Sequence, residues 1–382
     1  MKGVPPNVFF LGLVSLLNDI ASEAIFSVLP AFMSAVLRID YAAIGVIEGA
    51  AESAASLLKL AAGWASDRWR RRKPIVLFGY ALSAFVKPLF ALTTGVADVA
   101  AIRVLDRIGK GVRTSPRDAL VADSTLKKFR GKAFGFHRAM DTLGAVAGPL
   151  LAFAFLSYFG TSEASYRSMF LLTIIPGLAS LLLLWFFVSE RKARGGRAVR
   201  LLDFSFLSAE ARAFMLAVFV FSLANYSYAF LLLRAGELGA GTAFLPLLYL
   251  LYNIAYASLA VPAGTLADRI GGKIVLATGW LAFIAVGVGF ALAGAWWQAL
   301  PLFVLYGCFS AVHETVVRSQ LSLMVAPARR GSAMGALNLL LGIGALPASA
   351  VMGWVWSAWG ASAAFALSAG IAAAALLLLA KR

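Results

Sequence analysis

Gly63-Trp-Ala-Ser-Asp67-Arg68-Trp-Arg-Arg-Arg72 is matched, 201 residues later, by Gly264-Thr-Leu-Ala-Asp268-Arg269-Ile-Gly-Gly-Lys273. A second pair of stretches, Arg130-Gly131-Lys-Ala133-Phe-Gly135 and Arg330-Gly331-Ser-Ala333-Met-Gly335, repeats at an offset of 200 residues. Two motifs at nearly the same offset indicate that about half of the chain was duplicated. The sequence therefore predicts two similar halves.

The composition is that of a membrane protein. Of the 382 residues, 61% are hydrophobic and 14% are charged, and the mean hydropathy is +0.84. Soluble domains carry about a quarter charged residues. Apolar runs such as 75–92, 214–233 and 274–293 are close to the ~20 residues that span a bilayer as a helix. The composition excludes an ordinary cytosolic enzyme. Because the apolar runs do not alternate in polarity, an outer-membrane barrel is excluded as well.

Loop signals divide the chain into twelve predicted spans, in two sets of six. The predicted spans are 8–36, 42–66, 74–94, 98–123, 132–159, 167–188, 212–234, 241–266, 273–294, 298–325, 331–357 and 361–380. The long polar stretch between the sets carries basic residues and lies at the midpoint. We therefore predict a six-helix bundle over 1–188, a cytoplasmic linker over 189–211 and a second six-helix bundle over 212–382.

The distribution of Lys and Arg predicts the orientation. The termini and the connections after even-numbered spans hold 22 of these residues, and the other connections hold three, namely Arg38, Arg167 and Arg234. Loops rich in Lys and Arg stay in the cytoplasm. The sequence thus predicts a multi-pass protein of the inner (cytoplasmic) membrane with both termini inside.

The net charge of +16 follows from this topology. When residues at the span ends are counted with the loops, the predicted spans hold nine basic and nine acidic residues, so the excess of positive charge lies in the loops. Buried charges that pair with one another would produce such a balance. The charge therefore does not indicate binding to nucleic acid.

With their trailing basic residues, the two Gly-x-x-x-Asp-Arg loops resemble the signature of the major facilitator superfamily. Span 4 carries Arg107-Ile-Gly-Lys110-Gly111, which is similar to the Arg-x-x-Gln-Gly pattern of that family. Span 5 carries Gly144, Gly148 and Pro149, which match the start of the motif seen in exporting antiporters, although Leu151 and Ala152 replace its last glycines. The first loop departs from the family pattern at Trp69-Arg70.

The resemblance implies an architecture and a function. Spans 1, 4, 7 and 10 would line a central cavity, and rocking of the halves would expose that cavity to each side in turn. It implies a secondary active transporter with a small-molecule substrate, working as a monomer in the lipid bilayer. The half-motif in span 5 favours proton-coupled efflux by an antiporter.

Charged residues in the first half are the candidate substrate or proton site. Span 4 places basic residues on one helical face, and such a stripe cannot face lipid. It forms either a buried ion-pair scaffold or a cavity wall that attracts anions, and both readings stay open. On spans 1 and 5, adjacent carboxylates resist simultaneous ionisation, which suits proton exchange. The candidates are Asn18, Asp19, Glu23, Arg103, Arg107, Lys110, His137 and Asp141.

Span 2 has a polar face of a different kind. Glu48, Glu52 and Lys59 lie on one side of the predicted helix, and we interpret them as a structural ion-pair set.

The second half offers mainly aromatic and amide groups. Tyrosines at helical spacing are often packing residues, but their concentration on spans 7 and 8 favours a cavity wall. Span 10 adds a histidine and a carboxylate. The candidates here are Asn225, Tyr226, Tyr252, Asn253, His313 and Glu314. Such a cavity suits a small polar or amphipathic substrate with a polar or anionic end.

The repeated loops predict a cytoplasmic gate. Glycine permits close helix approach, and Asp can meet the positive end of a helix dipole. The gating residues are Gly63, Asp67, Arg68 and Arg72 in the first copy and Gly264, Asp268, Arg269 and Lys273 in the second. The predicted helix-packing motif is Gly144, Gly148 and Pro149.

Other classes of function find little support in the sequence. The chain has one cysteine and two histidines and lacks the usual nucleophile and metal-site motifs, so we expect no enzyme activity, no cofactor and no metal. Two alternatives to efflux remain, namely uptake or exchange of an organic anion with protons, and a membrane receptor that does not transport.

Overall fold

The structure is a computed structural model that describes residues 4–69, 71–191, 207–326 and 329–380. These residues form helices joined by short turns, and no strand occurs among them. The predicted linker over 189–211 lies mostly outside the described residues. We number the membrane segments α1 to α12.

The first six segments are α1 (Pro6–Val36), α2 (Tyr41–Trp69), α3 (Lys73–Leu92), α4 (Val96–Asp123), α5 (Arg130–Phe159) and α6 (Glu163–Phe187). The next four are α7 (Ala209–Ser222 with Ala229–Glu237), α8 (Leu245–Ile270), α9 (Gly272–Leu292) and α10 (Ala299–Leu323). The last two form one run, Arg330–Ala380, in which Gly360 has a φ of 85° and separates α11 from α12.

Eight helices of the described chain are long and apolar enough to cross a membrane. One of them, Arg330–Ala380, has 51 residues, enough for two crossings. The segments α2 and α4 are long but charged, and α7 is divided into two short helices. The described helices are therefore consistent with the twelve predicted spans, and the predicted boundary between spans 11 and 12 falls at Gly360.

Some segments are less regular than predicted. The first is a regular α-helix to Phe26, is interrupted at residues 27–28, resumes over Leu29–Ala31 and ends in the π-helix Phe32–Val36. The third changes to a 3-10 helix over Lys87–Leu92, where Pro88 lacks the N–H that an α-helix needs. In α7, the chain leaves the helix between Ser222 and Ala229.

The break in α7 contains neither Gly nor Pro. Serine hydroxyl groups on other helices form hydrogen bonds with backbone groups of the break. Ser349 Oγ accepts a hydrogen bond from the N–H of Ser227 over 3.2 Å, and Ser368 Oγ donates to the carbonyl of Ala224 over 2.8 Å. Irregular backbone at membrane depth requires such partners.

By its internal contacts the chain divides into two compact units. Unit 1 comprises Met1–Phe32 and Ala54–Val199, and unit 2 comprises Met33–Ser53 and Arg200–Arg382. The first part of α2 therefore belongs to unit 2 and the rest to unit 1. The domain boundaries at 188 and 212 stay a prediction.

Glycines allow the first part of α2 to pack on α11 within unit 2. A Cβ at Gly49 would lie 2.8 Å from the Cα and the carbonyl oxygen of Leu346, so the backbones touch. Ser53 Oγ donates to the carbonyl of Gly342 over 2.5 Å, and the ring of Tyr41 lies 4.9 Å from that of Trp356. These contacts hold the first part of α2 against α11 within unit 2.

Two of the three arginines predicted outside the cytoplasm cap the C-terminal ends of helices. Arg167 donates to the carbonyls of Ala91 and Thr93 at the end of α3. Arg234 donates to those of Phe290 and Ala293 at the end of α9, over 3.3 and 3.1 Å. Positive charge at a helix C-terminus is favourable. The two carbonyl pairs lie about 200 residues apart, in line with the duplication.

Candidate functional site

In unit 1, a buried lysine joins the candidate residues of α1. Lys87 Nζ donates to Asn18 Oδ1 over 2.8 Å and to the carbonyl of Asn18 over 3.3 Å. Asn18 Nδ2 in turn donates to Asp19 Oδ1 over 3.2 Å. Lys87 and Asn18 are fully buried, whereas Asp19 and Glu23 are partly exposed. The result is a hydrogen-bonded chain from an ammonium to a carboxylate that water can reach.

The arginines of α4 lie against an aromatic ring of α1. The guanidinium carbons of Arg103 and Arg107 are 4.0 and 4.7 Å from the ring centre of Phe26. Both arginines are buried, with Arg103 0% exposed. A cation over an aromatic face is stabilised by the ring quadrupole. Phe26 is a neighbour of the candidate arginines that the sequence did not reveal, because a single Phe in an apolar run carries no distinguishing signal.

Further along α4, the basic residues contact hydroxyl groups. Arg113 Nη1 donates to Ser83 Oγ over 2.7 Å, and its guanidinium lies 4.6 Å from the ring of Tyr80. Arg117 Nη1 donates to Ser15 Oγ over 3.1 Å, and the same guanidinium pairs with Asp118. These contacts tie α4 to α1 and α3. Lys110 is partly buried on the same helix.

The candidates of α5 form a pair of their own. His137 Nδ1 and Asp141 Oδ1 are 3.6 Å apart, one helical turn from each other. His137 is buried and Asp141 partly buried.

Two glycines bring α5 onto α1 beside the carboxylates. A Cβ at Gly144 would lie 2.8 Å from both the Cβ of Asp19 and the carbonyl oxygen of Leu16. A Cβ at Gly148 would lie 2.9 Å from the Cβ of Glu23. Pro149 follows inside the helix. The glycines of the packing motif therefore set the distance between α5 and the carboxylates of α1.

At the first gating loop, Arg72 contacts two carboxylates. Its Nε lies 2.8 Å from Asp123 Oδ2, and its Nη2 lies 3.4 Å from Asp67 Oδ1. The side chain of Asp67 is 56% exposed, whereas that of Asp123 is nearly buried. The guanidinium of Arg68 lies 5.8 Å from the ring of Trp64. The loop is thus linked to the end of α4.

Glu190, which is not among the candidates from the sequence, caps the N-terminus of α3. Glu190 accepts hydrogen bonds from the backbone N–H groups of Arg72 and Lys73, over 2.9 to 3.1 Å. The sequence predicts that Asp67 meets a helix N-terminus, but at α3 Glu190 occupies this position. Glu190 lies 118 residues from Arg72 in sequence, and no local pattern identifies such a partner.

The two gating loops share one packing arrangement. A Cβ at Gly63 would lie 3.3 Å from the Cβ of Ser115, and a Cβ at Gly264 would lie 3.3 Å from Cγ2 of Thr315. Ser115 Oγ donates to the carbonyl of Lys59, and Thr315 Oγ1 to that of Ala260. The duplication has therefore preserved this contact between the second and fourth helices of each set.

The polar contacts of the two loops differ. Lys273 Nζ lies 3.6 Å from Glu210 Oε1 at the start of α7. Asp268 and Arg269 are exposed at the end of α8.

In unit 2, the break of α7 presents several candidates. Tyr226 is buried among the rings of Phe230, Phe283 and Phe365. Its neighbour Asn225 is partly buried. Ser227 Oγ donates to Glu48 Oε2 over 3.0 Å, and Glu48 is 1% exposed. Glu48 therefore lies in unit 2, whereas Lys59, which shares its face in the sequence interpretation, lies in unit 1.

The tyrosines of α8 form a continuous row. Tyr252 lies 5.7 Å from Tyr249, 6.4 Å from Tyr256 and 5.4 Å from Tyr306, as measured between ring centres. The hydroxyl of Tyr256 donates to Glu314 Oε2 over 3.0 Å. Asn253 is partly buried beside Tyr252. The structure thus brings the candidates of α8 and α10 together.

His313 lies apart from this row, in an aromatic cluster. Trp280 Nε1 donates to His313 Nδ1 over 3.1 Å, and the imidazole packs against Phe221 and Phe309. An indole N–H can only donate, so Nδ1 accepts and the ring is neutral in this arrangement.

The described residues contain no group of three or more His, Cys, Asp and Glu side chains that could hold a metal ion. The polar groups described above are hydrogen-bonding and charged side chains of both signs, which suit binding and proton exchange.

Comparison with known proteins identifies the family. The model of the Major Facilitator Superfamily matches residues 11–233 and 212–382, nearly the whole chain. The chain belongs to this superfamily. The prediction of an all-α membrane protein of the major facilitator type is thereby confirmed, and the protein is a multi-pass membrane transporter.

Individual relatives support the assignment. An MFS-type transporter of Methanocaldococcus jannaschii is 33% identical over 356 residues, which covers 92% of this chain and 88% of that protein. Among solved structures, the nucleoside transporter NupG has a TM-score of 0.78 at 16% identity and covers 100% of this chain and 99% of its own. A peptide transporter of the POT type has a TM-score of 0.81 at 15% identity, covering 100% and 95%. At these identities the two structures show the fold alone.

Proposed function

We propose that this transporter exports a small polar or amphipathic molecule from the cytoplasm in exchange for protons. It works by alternating access, as a monomer in the cytoplasmic membrane with both termini inside, and it is not an enzyme. The hydrogen-bonded chain Lys87–Asn18–Asp19 is the observation that carries the proposal.

The chemistry of that chain suits proton exchange. Asp19 is partly exposed, so a proton can reach it from water, while the buried ammonium of Lys87 stays connected to it through Asn18. Protonation of Asp19 would remove a negative charge beside a buried cation and weaken the attraction within the cluster. Because Gly144 places α5 directly against Asp19, such a change would act on the contact between α1 and α5. Glu23 and Asp141 are the neighbouring carboxylates that can share this role.

The basic residues of α4 support a second candidate function, the uptake or exchange of an organic anion with protons. Arg103 and Arg107 are buried side by side against Phe26. A guanidinium pair of this kind can bind a carboxylate or phosphate in two-point fashion.

Transport by proteoliposomes tests the proposal. The purified chain is reconstituted with an entrapped pH-sensitive dye, and compounds from a metabolite and drug panel that raise its melting temperature are added as labelled substrates. Exchange with protons accumulates substrate in vesicles with an acidic interior, whereas cotransport accumulates it in vesicles with an alkaline interior. Accumulation only in the alkaline-interior vesicles would contradict efflux and support uptake.

Variants locate the coupling site. Asp19→Asn should abolish accumulation driven by a pH gradient and retain counterflow between equal concentrations. Glu23→Gln and Asp141→Asn are tested in the same way, and Glu163→Gln serves as the control because that carboxylate is exposed and pairs with Arg167 away from the cluster. If all three cluster variants keep the pH dependence of the wild type, the proton binds elsewhere, with Glu314 the next residue to examine.

A further inference from the structure

Unit 2 contains an aromatic surface of five tyrosines. We call it the tyrosine surface, and its members are Tyr228, Tyr249, Tyr252, Tyr256 and Tyr306. The ring of Tyr228 lies 4.7 Å from that of Tyr249, and the remaining neighbours are 5.4 to 6.4 Å apart. The angles between neighbouring ring planes are all 29° to 40°. Neighbouring rings are therefore closer to parallel than to perpendicular.

A carboxylate lies at each end of this surface. At one end, Tyr256 donates its hydroxyl hydrogen to Glu314. At the other end, Ser227, the residue before Tyr228, donates to the buried carboxylate of Glu48. The first hydrogen bond fixes Glu314 relative to a ring of the surface, and the second holds Glu48 at the residue that precedes Tyr228.

One end of the surface is open to water. Glu314 lies in the middle of α10 and is exposed, and a charged side chain at that depth cannot face lipid without a large cost. It therefore faces a water-filled space. Tyr252 and Tyr256 are partly exposed beside it, whereas Tyr249 and Tyr306 are buried. A solute can thus reach the surface from the Glu314 end.

The charge of this region is negative. Away from the ends of the predicted spans, Arg318 is the one basic residue in the second half of the sequence. Glu48, Glu52 and Glu314 are the corresponding acidic residues of unit 2. Aromatic faces add the negative part of their quadrupoles to this field. Unit 1 shows the complementary pairing within the protein itself, where arginine guanidinium groups lie over the rings of Phe26 and Tyr80.

We propose that the tyrosine surface and its two carboxylates bind an organic cation, meaning a quaternary or protonated amine, or an equivalent onium group, on an apolar body. The inference rests on the proposed transport function and narrows its substrate class. The apolar body of such a solute stacks on the rings, and its positive charge lies near the Glu314 carboxylate. Cation–aromatic attraction is stronger where water is excluded, as it is along the buried part of the surface.

Two ions of the same shape and opposite charge test the proposal. Tetraphenylphosphonium and tetraphenylborate are titrated into the detergent-purified full chain, and binding is measured by calorimetry. The cation should bind at least about tenfold more tightly than the anion, the ratio expected when cation–aromatic and carboxylate contacts together contribute about 1.4 kcal/mol. Equal affinities, tighter binding of the borate, or no binding of the phosphonium would each overturn the proposal.

Variants separate a cation site from general adhesion to an apolar surface. Tyr252→Leu removes an aromatic face and should weaken phosphonium binding about tenfold, whereas Tyr252→Phe keeps the face and should stay within about twofold. Glu314→Gln should also weaken it. Tyr158→Leu is the control, because Tyr158 is 83% exposed in unit 1. If Tyr252→Leu fails to fold, as its melting curve will show, the exposed Glu314→Gln decides the question.

The result is distinguishable from a failure of the proposed function. Selective phosphonium binding without any pH-driven flux in proteoliposomes would support the cation site and contradict proton exchange. Flux with other compounds, together with no preference for the phosphonium, would support proton exchange and contradict the cation site.

Discussion

Trp280 donates its indole N–H to Nδ1 of His313 over 3.1 Å, and both side chains are buried. The matching positions in the first half, 200 residues earlier, are Tyr80 and Arg113, where the guanidinium lies 4.6 Å from the ring. The duplication has therefore preserved a contact between an aromatic residue and a basic residue. The two contacts differ in charge, because the first half has the permanent cation of Arg113 and the second half has the neutral imidazole of His313.

Removal of the indole donor should destabilise unit 2. Trp280→Phe leaves Nδ1 of His313 buried without its donor, which costs about 1 to 3 kcal/mol of unfolding free energy in addition to the lost ring contacts. Denaturant unfolding of the detergent-purified protein measures the effect, and Trp297→Phe is the exposed control. In the Trp280→Phe background, His313→Phe should cost less than in the wild type. Equal costs in both backgrounds would show that the hydrogen bond contributes no coupling energy.

Two glycines of α5 provide a matched comparison. Gly144→Ala should destabilise the protein by about 1 to 3 kcal/mol, because the new methyl group meets the backbone of α1 and the side chain of Asp19. Gly135→Ala should be neutral or slightly stabilising, since nothing lies within 4 Å of a Cβ there. Thermal unfolding of the two variants in the same detergent checks the prediction. A loss at Gly135 as large as that at Gly144 would contradict the packing explanation, because helix propensity favours Ala over Gly at both positions.

A substitution in the first gating loop should lower the transport rate more than the stability of the protein. Asp67→Asn keeps the shape of the side chain but loses its charge beside Arg72, and we expect transport to fall nearly to background with an unchanged melting temperature. The exposed position of Asp67 makes a large stability change unexpected. Asp268→Asn should be milder, since fewer basic residues flank it. Initial rates in proteoliposomes measure both effects, and wild-type rates in Asp67→Asn would refute the prediction.

Arg107 distinguishes a substrate contact from a scaffold. If it binds an anionic group, Arg107→Ala should weaken substrate affinity strongly, Arg107→Lys should restore it in part, and stability should change little. If it is a structural ion, its removal should cost about 3 to 5 kcal/mol, and neutralising Asp19 or Asp141 as well should recover stability. We expect Arg107 to act in substrate binding or proton coupling rather than in the scaffold, so that Arg107→Ala impairs transport with little change in stability. A large stability loss that the second substitution repairs would instead assign Arg107 to the scaffold. For Arg113, which contacts Ser83 and Tyr80, we expect the scaffold behaviour.

Much of the fold could be predicted from the sequence, because it depends on properties that are local along the chain. The length of the apolar runs, the asymmetry of the basic loops and the 200-residue offset predicted twelve helices in two related sets. The turn at Gly360 was also predicted within its connection, since glycine adopts a positive φ without strain. The family assignment followed from the same repeated loops.

The partners of the charged and polar groups were decided by the tertiary structure. Lys87 binds Asn18 across 69 residues, and Ser227 binds Glu48 across 179 residues, in a part of α2 that belongs to unit 2. The break in α7 depends likewise on serines of α11 and α12, and the cap of α3 on Glu190. Hydrophobicity and loop charge act on each segment separately and can be read along the chain. A hydrogen bond or ion pair is selected only when distant segments pack, because its free energy depends on distance, direction and the exclusion of water.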